Sequence, residues 1–202
     1  MILEQDSTTF RSGHNAGIAF GPSVQELMRQ YDDTGVQGCT PERATGFAWR
    51  RNPKLRMLKI LRHYTSWGLL YRILRANFDG LTSDAVPAAP QPREGDGTAE
   101  YRCGKRVTRI DYDESKGVVT VGFVGQVDGK DVEESITADF VIGADGGNST
   151  MRALMGLPAT KEYSGYVAWR GTVPETELPE ETVKYLENQT TINLLKRNYA
   201  VV

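Results

Sequence analysis

One stretch, Ala138 to Leu157 (ADFVIGADGGNSTMRALMGL), limits what this chain can fold into more than any other. Thr137-Ala138-Asp139 ends a polar run, and Phe140-Val141-Ile142 reads as a short apolar strand. Gly143-Ala144-Asp145-Gly146-Gly147 follows as a turn dense in residues that tolerate positive φ. Asn148 and Ser149 are capping residues for a helix that opens at Thr150-Met151-Arg152, with Gly156 as its stop and Pro158 just beyond. A strand that empties into a glycine bend and a helix N-terminus makes a site for anionic or phosphate-bearing ligands. Glycines let backbone N–H groups approach, and the helix dipole adds partial positive charge. The carboxylate of Asp145 does not suit a bare phosphate, but it suits the hydroxyls of a sugar or polyol beside a pyrophosphate. A plain β-to-α connection whose Asp only shapes the turn accounts for the same residues, so both readings stay open.

The same residues carry a resemblance. GADGGNSTMR resembles the Asp-Gly motif of the FAD-dependent aromatic hydroxylases, the para-hydroxybenzoate hydroxylase-like single-component flavoprotein monooxygenases, which reads G-A-D-G-x-x-S-x-x-R. Gly143, Ala144, Asp145, Gly146, Ser149 and Arg152 are all in register with it. A match of this length in a strand-turn-helix context is far more specific than a lone glycine pattern. The resemblance implies that Asp145, Gly146 and Arg152 lie at the ribityl and pyrophosphate part of FAD, near the NAD(P)H site.

Composition excludes several other classes. The 202 residues carry a net charge of −2, with 25% charged and 39% hydrophobic residues, and the isoelectric point is about 5.8. There is no basic run and no aromatic-basic interleaving, so nucleic acid is not an expected partner. Cys39, Cys103, His14 and His63 suggest neither a disulfide framework nor a metal site. The apolar runs fall short of a membrane span, and the N-terminus lacks the pattern of a signal peptide. A cytoplasmic protein without a membrane partner is expected.

Along the chain, Met1-Ile2-Leu3-Glu4-Gln5 is a short apolar segment ending in an acid, followed by a turn cluster at Asp6-Ser7-Thr8-Thr9. By itself Glu4 is a solvated charge. The resemblance implies instead that Glu4 accepts hydrogen bonds from the adenosine ribose, with the glycine fingerprint that normally precedes such an acid lying upstream of Met1. Gly13, Gly17 and Gly21 punctuate a loop, and Pro22-Ser23 opens a helix with Val24, Leu27 and Met28 at helical spacing. The resemblance implies that Gly17 and Ile18 lie beside the flavin ring, and a purely structural loop accounts for the same residues. Thr45 to Arg51 alternates like a strand, and Arg43, Arg50, Arg51, Lys54, Arg56 and Lys59 read as a solvated basic face, with a cofactor-phosphate role as the minor alternative.

Gly68 to Phe78 reads as an amphipathic helix capped by Ser66, with Leu70, Leu74 and Phe78 four apart on one face. Trp67 stands where many relatives carry an Arg that touches FAD phosphate. This Ser-Trp start is similar to the 2,6-dihydroxypyridine 3-monooxygenase-like branch; Arg72 and Arg75 either replace the lost charge or are surface residues, the second being the reading favoured. Ala85 to Thr98 is a loop. Strands are expected at Glu100–Cys103, Arg106–Tyr112, Val118–Phe123 and around Ser135-Ile136, with turns at Lys116-Gly117 and Asp128-Gly129-Lys130. The resemblance makes these a meander in which Val107 meets the adenine. It makes the aromatic run Tyr163 to Pro174 the first strand of a substrate domain, with one or two strands more between Val183 and Val202.

The expected fold is mixed α/β (α+β): a partial FAD-binding Rossmann-like domain with a three-stranded β-meander over 1–158, leading into the start of an antiparallel substrate-domain sheet over 159–202. The resemblance implies a monooxygenase using FAD, NADPH or NADH, and O₂ on an aromatic, heteroaromatic or secondary-metabolite substrate, in a chain shortened at both ends. Two other functions fit the sequence. One is a non-catalytic, partner-binding remnant of such an enzyme, and the other is an FAD-dependent oxidoreductase that does not hydroxylate. The sequence nominates no catalytic acid, base or nucleophile, and it sets no oligomeric state.

Overall fold

The computed structural model describes residues 1–10, 17–39, 43–49, 60–157, 159–167, 171, 173–186, 189–194 and 199–201. In chain order the strands and α-helices are β1 (Ile2–Leu3), β2 (Gly17–Phe20), α1 (Pro22–Tyr31), β3 (Arg43–Trp49), β4 (Ile60–Ser66), α2 (Trp67–Asp79), β5 (Tyr101–Arg102), β6 (Arg106–Asp113), β7 (Val118–Val127), β8 (Lys130–Ala138), α3 (Thr150–Leu154), α4 (Glu180–Leu186), β9 (Gln189–Leu194) and β10 (Tyr199–Val201). The chain forms two compact units, Met1–Arg11 with Gly95–Val167, and Ser12–Glu94 with Ala168–Val202.

In the first unit β6, β7 and β8 form the expected antiparallel meander. Each of its turns has a physical cause. Asp113 ends β6 by accepting the Ser115 and Lys116 backbone N–H groups on one carboxylate oxygen, and Gly117 then turns at φ 65°. Between β7 and β8, Asp128 and Gly129 both have positive φ, the two-residue hairpin geometry that matches strand twist. β7 is the middle strand, and its alternate residues Val121 and Phe123 are buried. The predicted strand at Glu100–Cys103 is two residues long. It pairs in parallel with β1, outside the meander.

Two expected strands of this unit are not formed. Phe140 to Ile142 has no strand partner among the described residues, and Phe140 and Ile142 are 78% and 75% exposed. A strand is a property of a pair, and an apolar run with no neighbour to complete its hydrogen bonds does not become one. Tyr163 to Val167 likewise forms no strand, with Tyr163 and Tyr166 exposed. Residues 168–170 of that predicted strand, and 172, lie outside the described residues.

The second unit carries a five-stranded sheet in the order β10-β9-β3-β4-β2. It is antiparallel except where β9 runs parallel to β3. Ser66 caps α2 as expected, its hydroxyl accepting the Leu69 N–H at 3.1 Å, and Gly80 stops the helix in the left-handed region at φ 74°. The buried face of α2 differs from the predicted one. Ile73 and Ala76 pack with Val86, flanked by Leu69, Met28, Val36 and Ala85, whereas Leu74 is 47% exposed and lines a shallow groove with Phe78, Leu27 and Tyr31. Arg75 is not a surface residue either. It is buried, with its guanidinium bidentate on Asp79 and bonded to the Tyr71 hydroxyl. The side chains of the basic group from Arg43 to Lys59 lie outside the described residues.

Candidate functional site

The bend around Asp145 is held from within by side chains. Asp145 Oδ1 accepts the Ser149 hydroxyl at 2.5 Å, and Oδ2 accepts the Met151 backbone N–H at 2.9 Å. Ser149 Oγ in turn accepts the Arg152 N–H at 3.0 Å as the N-cap of α3. The helix ends as its sequence predicts. Gly156, at φ 67°, donates to the Ala153 carbonyl and Leu157 donates to the Arg152 carbonyl, the paired bonds of a Schellman stop. Met151 is buried and α3 packs on β6, so the short helix is anchored to the meander.

This arrangement revises one part of the sequence argument. Two of the backbone donors in the first turn of α3 already serve Asp145 and Ser149, and α3 is five residues long, so helix-terminal charge contributes little toward an added anion. The glycine bend keeps the features a polyol needs. Gly146 has φ 77°, a conformation that L side chains rarely adopt, and a Cβ on Gly146 or Gly147 would meet nothing within 4 Å. The Asp145 carboxylate is exposed, and its two oxygens have more lone pairs than the two bonds just named. The Ser149 hydroxyl and then the Met151 N–H hold its pKa below the ordinary carboxylate value, keeping it an anionic acceptor. These residues fit the hydroxylated arm of FAD.

Main-chain bonds tie Glu4 to the segment that leads into β6 and Val107. Glu4 N–H donates to the Arg102 carbonyl at 2.9 Å, and Lys105 N–H donates to the Glu4 carbonyl at 2.8 Å, two residues before Val107. Glu4 is half-buried, and its Oε1 accepts the Asp6 N–H at 2.9 Å, which closes the turn after β1. Val107 faces Phe123 across the sheet, and a bulge follows before Arg109. Gly17 and Ile18 belong to the other unit, on β2, where they pair with Ser66 and Thr65 of β4. Gly17 is exposed, with open space where a Cβ would stand. Asp145, Gly146 and Arg152 thus share one turn and helix, while Glu4 and Val107 share one strand corner.

Lys105 and Glu134 had no signal in the sequence. They form an ion pair across the meander, and the Lys105 ammonium lies 5.8 Å from the centre of the Phe123 ring. Residues 105 and 134 are distant in sequence, and only the register of β6, β7 and β8 brings them together.

The comparisons agree with the motif. A family described as FAD binding domain-like matches residues 163–202. The chain is 35% identical over 179 residues to the 6-hydroxynicotinate 3-monooxygenase of Bordetella bronchiseptica, covering 86% of this chain and 41% of that protein. It is 30% identical over 182 residues to the protein of the same name from Pseudomonas fluorescens, covering 88% of this chain and 42% of the relative. A 65-residue match at 38% identity to the 2,6-dihydroxypyridine 3-monooxygenase of Paenarthrobacter nicotinovorans covers 32% of this chain and 16% of that protein. Among solved structures, aklavinone-11 hydroxylase in its ternary complex with FAD and aklavinone matches with a TM-score of 0.50 at 20% identity, covering 76% of this chain and 29% of that one. That likeness supports the fold. The chain spans about two fifths of the length of the first two relatives. The resemblance carried by GADGGNSTMR is borne out by these relatives, and over most of its length the chain is similar to proteins named as aromatic-ring 3-monooxygenases.

Proposed function

We propose that this chain forms part of an FAD-dependent monooxygenase that hydroxylates a small aromatic or heteroaromatic ring, using O₂ and NADPH or NADH. The observation that carries this reading is the 35% identity over 86% of the chain to a 6-hydroxynicotinate 3-monooxygenase, beside the GADGGNSTMR motif that the sequence itself carries. A hydroxypyridine-type ring is therefore the first substrate to test, with secondary-metabolite rings next. Asp145 and Gly146 meet the ribityl arm of FAD, with Arg152 toward the pyrophosphate. Glu4 accepts from the adenosine ribose, Val107 lies against the adenine, and Gly17 and Ile18 lie beside the ring system. Residues 1–158 serve the cofactor and 159–202 begin the substrate side, in a cytoplasmic setting. FAD supplies the redox chemistry when bound. The work of this chain is to hold a long polar cofactor at several separated points.

The experiment is a titration of the 202-residue chain with FAD, followed by flavin fluorescence and backbone amide shifts. Saturable shifts at Glu4, Val107 and Asp145, with a dissociation constant weaker than micromolar, support the proposal. Saturable binding that leaves these residues unshifted overturns the site assignment, and a sub-micromolar dissociation constant overturns the expectation of weak binding by this chain alone. Hydroxylation is tested on the polypeptide that carries this chain, by NAD(P)H consumption stimulated by 6-hydroxynicotinate and by detection of a hydroxylated product. Stimulated oxidation without that product favours an oxidoreductase that does not hydroxylate.

A further inference from the structure

We infer that Lys105 is a positioning residue that sets the spacing between Glu4 and Val107, and so shapes the adenosine end of the site; this rests on the FAD reading above. Its main chain holds one side, where the Lys105 N–H donates to the Glu4 carbonyl at 2.8 Å. Its side chain holds the other, pairing with Glu134 on β8, the far strand of the meander. Between these ends the ammonium crosses Phe123, which is 1% exposed and stands in register with both Val107 and Glu134.

The path of this side chain is built into neighbouring residues. Gly104 turns the chain at φ 67° against Ser7, which directs Lys105 back over the sheet. A Cβ on Gly125 would overlap Lys105 Nζ and stand 2.9 Å from its Cδ, so the lysine lies where a side chain on β7 would otherwise be. The lysine and glutamate side chains are only 18% and 34% exposed. An apolar pair over Phe123 would avoid the desolvation cost of these charges, so the pair is better explained by the single arrangement it selects than by stability. That arrangement links the Glu4 turn to the strand that carries Val107.

The test uses ADP as the probe, titrated into the 202-residue chain while the amide shifts of Glu4 and Val107 and the thermal midpoint are recorded. Lys105→Met is expected to weaken ADP binding about tenfold. Gly125→Ala is expected to do the same although the lysine remains. Lys105→Glu combined with Glu134→Lys is expected to restore most of the affinity, a rescue that a general loss of packing would not give. If Lys105→Met fails to fold, Glu134→Gln at its half-exposed strand position makes the same test. Binding within about twofold of the parent in folded variants overturns the role of Lys105 and leaves the FAD reading standing. An absence of ADP-dependent shifts at Glu4 and Val107 in the parent chain overturns both.

Discussion

Ser149 donates its hydroxyl hydrogen to the Asp145 carboxylate and, through the same oxygen, accepts the Arg152 N–H. The second carboxylate oxygen takes the Met151 N–H, so one acidic side chain fixes both the bend and the first turn of α3. The question left by the sequence, whether Asp145 shapes the turn or meets a ligand, becomes a question of how two substitutions differ. Ser149→Ala removes the cap and should cost about 1 kcal/mol of local stability while leaving the carboxylate in place. Asp145→Ala removes the acceptor as well. If Asp145 touches the polyol, FAD affinity falls far more in Asp145→Ala than in Ser149→Ala. Equal losses in fluorescence titrations would mean that Asp145 acts only on the turn.

The ionisation of Asp145 gives a second prediction. The Ser149 hydroxyl and then the Met151 N–H lower its pKa in the folded chain. Protonation therefore opposes the folded bend. The contribution is complete above the unfolded carboxyl value of about 4 and is lost as pH falls through the lower folded value. The amide shifts of residues 150–154 should be flat from neutral pH to about 5 and move only below it. In Asp145→Asn the same amides should show no such transition. A transition that persists in this variant would assign the effect to another group.

The phase of α2 gives a third. Ile73 is fully buried while Leu74, its neighbour, is 47% exposed. Ile73→Ala should cost about 2–5 kcal/mol and Leu74→Ala less than about 1 kcal/mol in denaturant unfolding. Equal costs would return the core to the face containing Leu70, Leu74 and Phe78.

These cases show where the sequence was legible. Local chemistry was readable at Ser66, Ser149, Gly156 and Asp128-Gly129, because caps, stops and tight turns depend on residues a few positions apart. Partnership was not. Phe140-Val141-Ile142 has the composition of a strand, but no strand among the described residues pairs with it. The periodicity of α2 offered more than one apolar stripe, and the contacts of Ile73 and Ala76 with Val86 decided between them. β4 escaped notice because Ile60 to Ser66 alternates weakly and becomes a strand between β2 and β3. In the candidate site the contiguous group at Asp145, Gly146 and Arg152 could be read directly. The link from Glu4 through Lys105 to Val107 needed the register of the strands.

Arg75 and Asp79 supply the last prediction. Arg75 donates from Nε and Nη2 to the two Asp79 oxygens at 3.0 and 2.7 Å, and from Nη1 to the Tyr71 hydroxyl at 2.6 Å. The two charged side chains are 7% and 13% exposed. Burial works against the guanidinium charge, but the bonds to Asp79 and Tyr71 outweigh it and raise the pKa above the ordinary arginine value. Arg75 therefore stays charged at any pH the protein meets. Removing its partner strands a buried cation, so Asp79→Ala should lower stability by about 3 kcal/mol. Arg75→Met should cost less, because its side chain is apolar and unbranched and still covers Tyr71, although the Asp79 charge is left unpaired. Arg75→Met with Asp79→Leu should be closer to the parent than Asp79→Ala is, since both charges of the pair are removed together. A denaturation cycle over the two positions with a coupling energy near zero would show that the pair is solvated in solution, against the burial seen here.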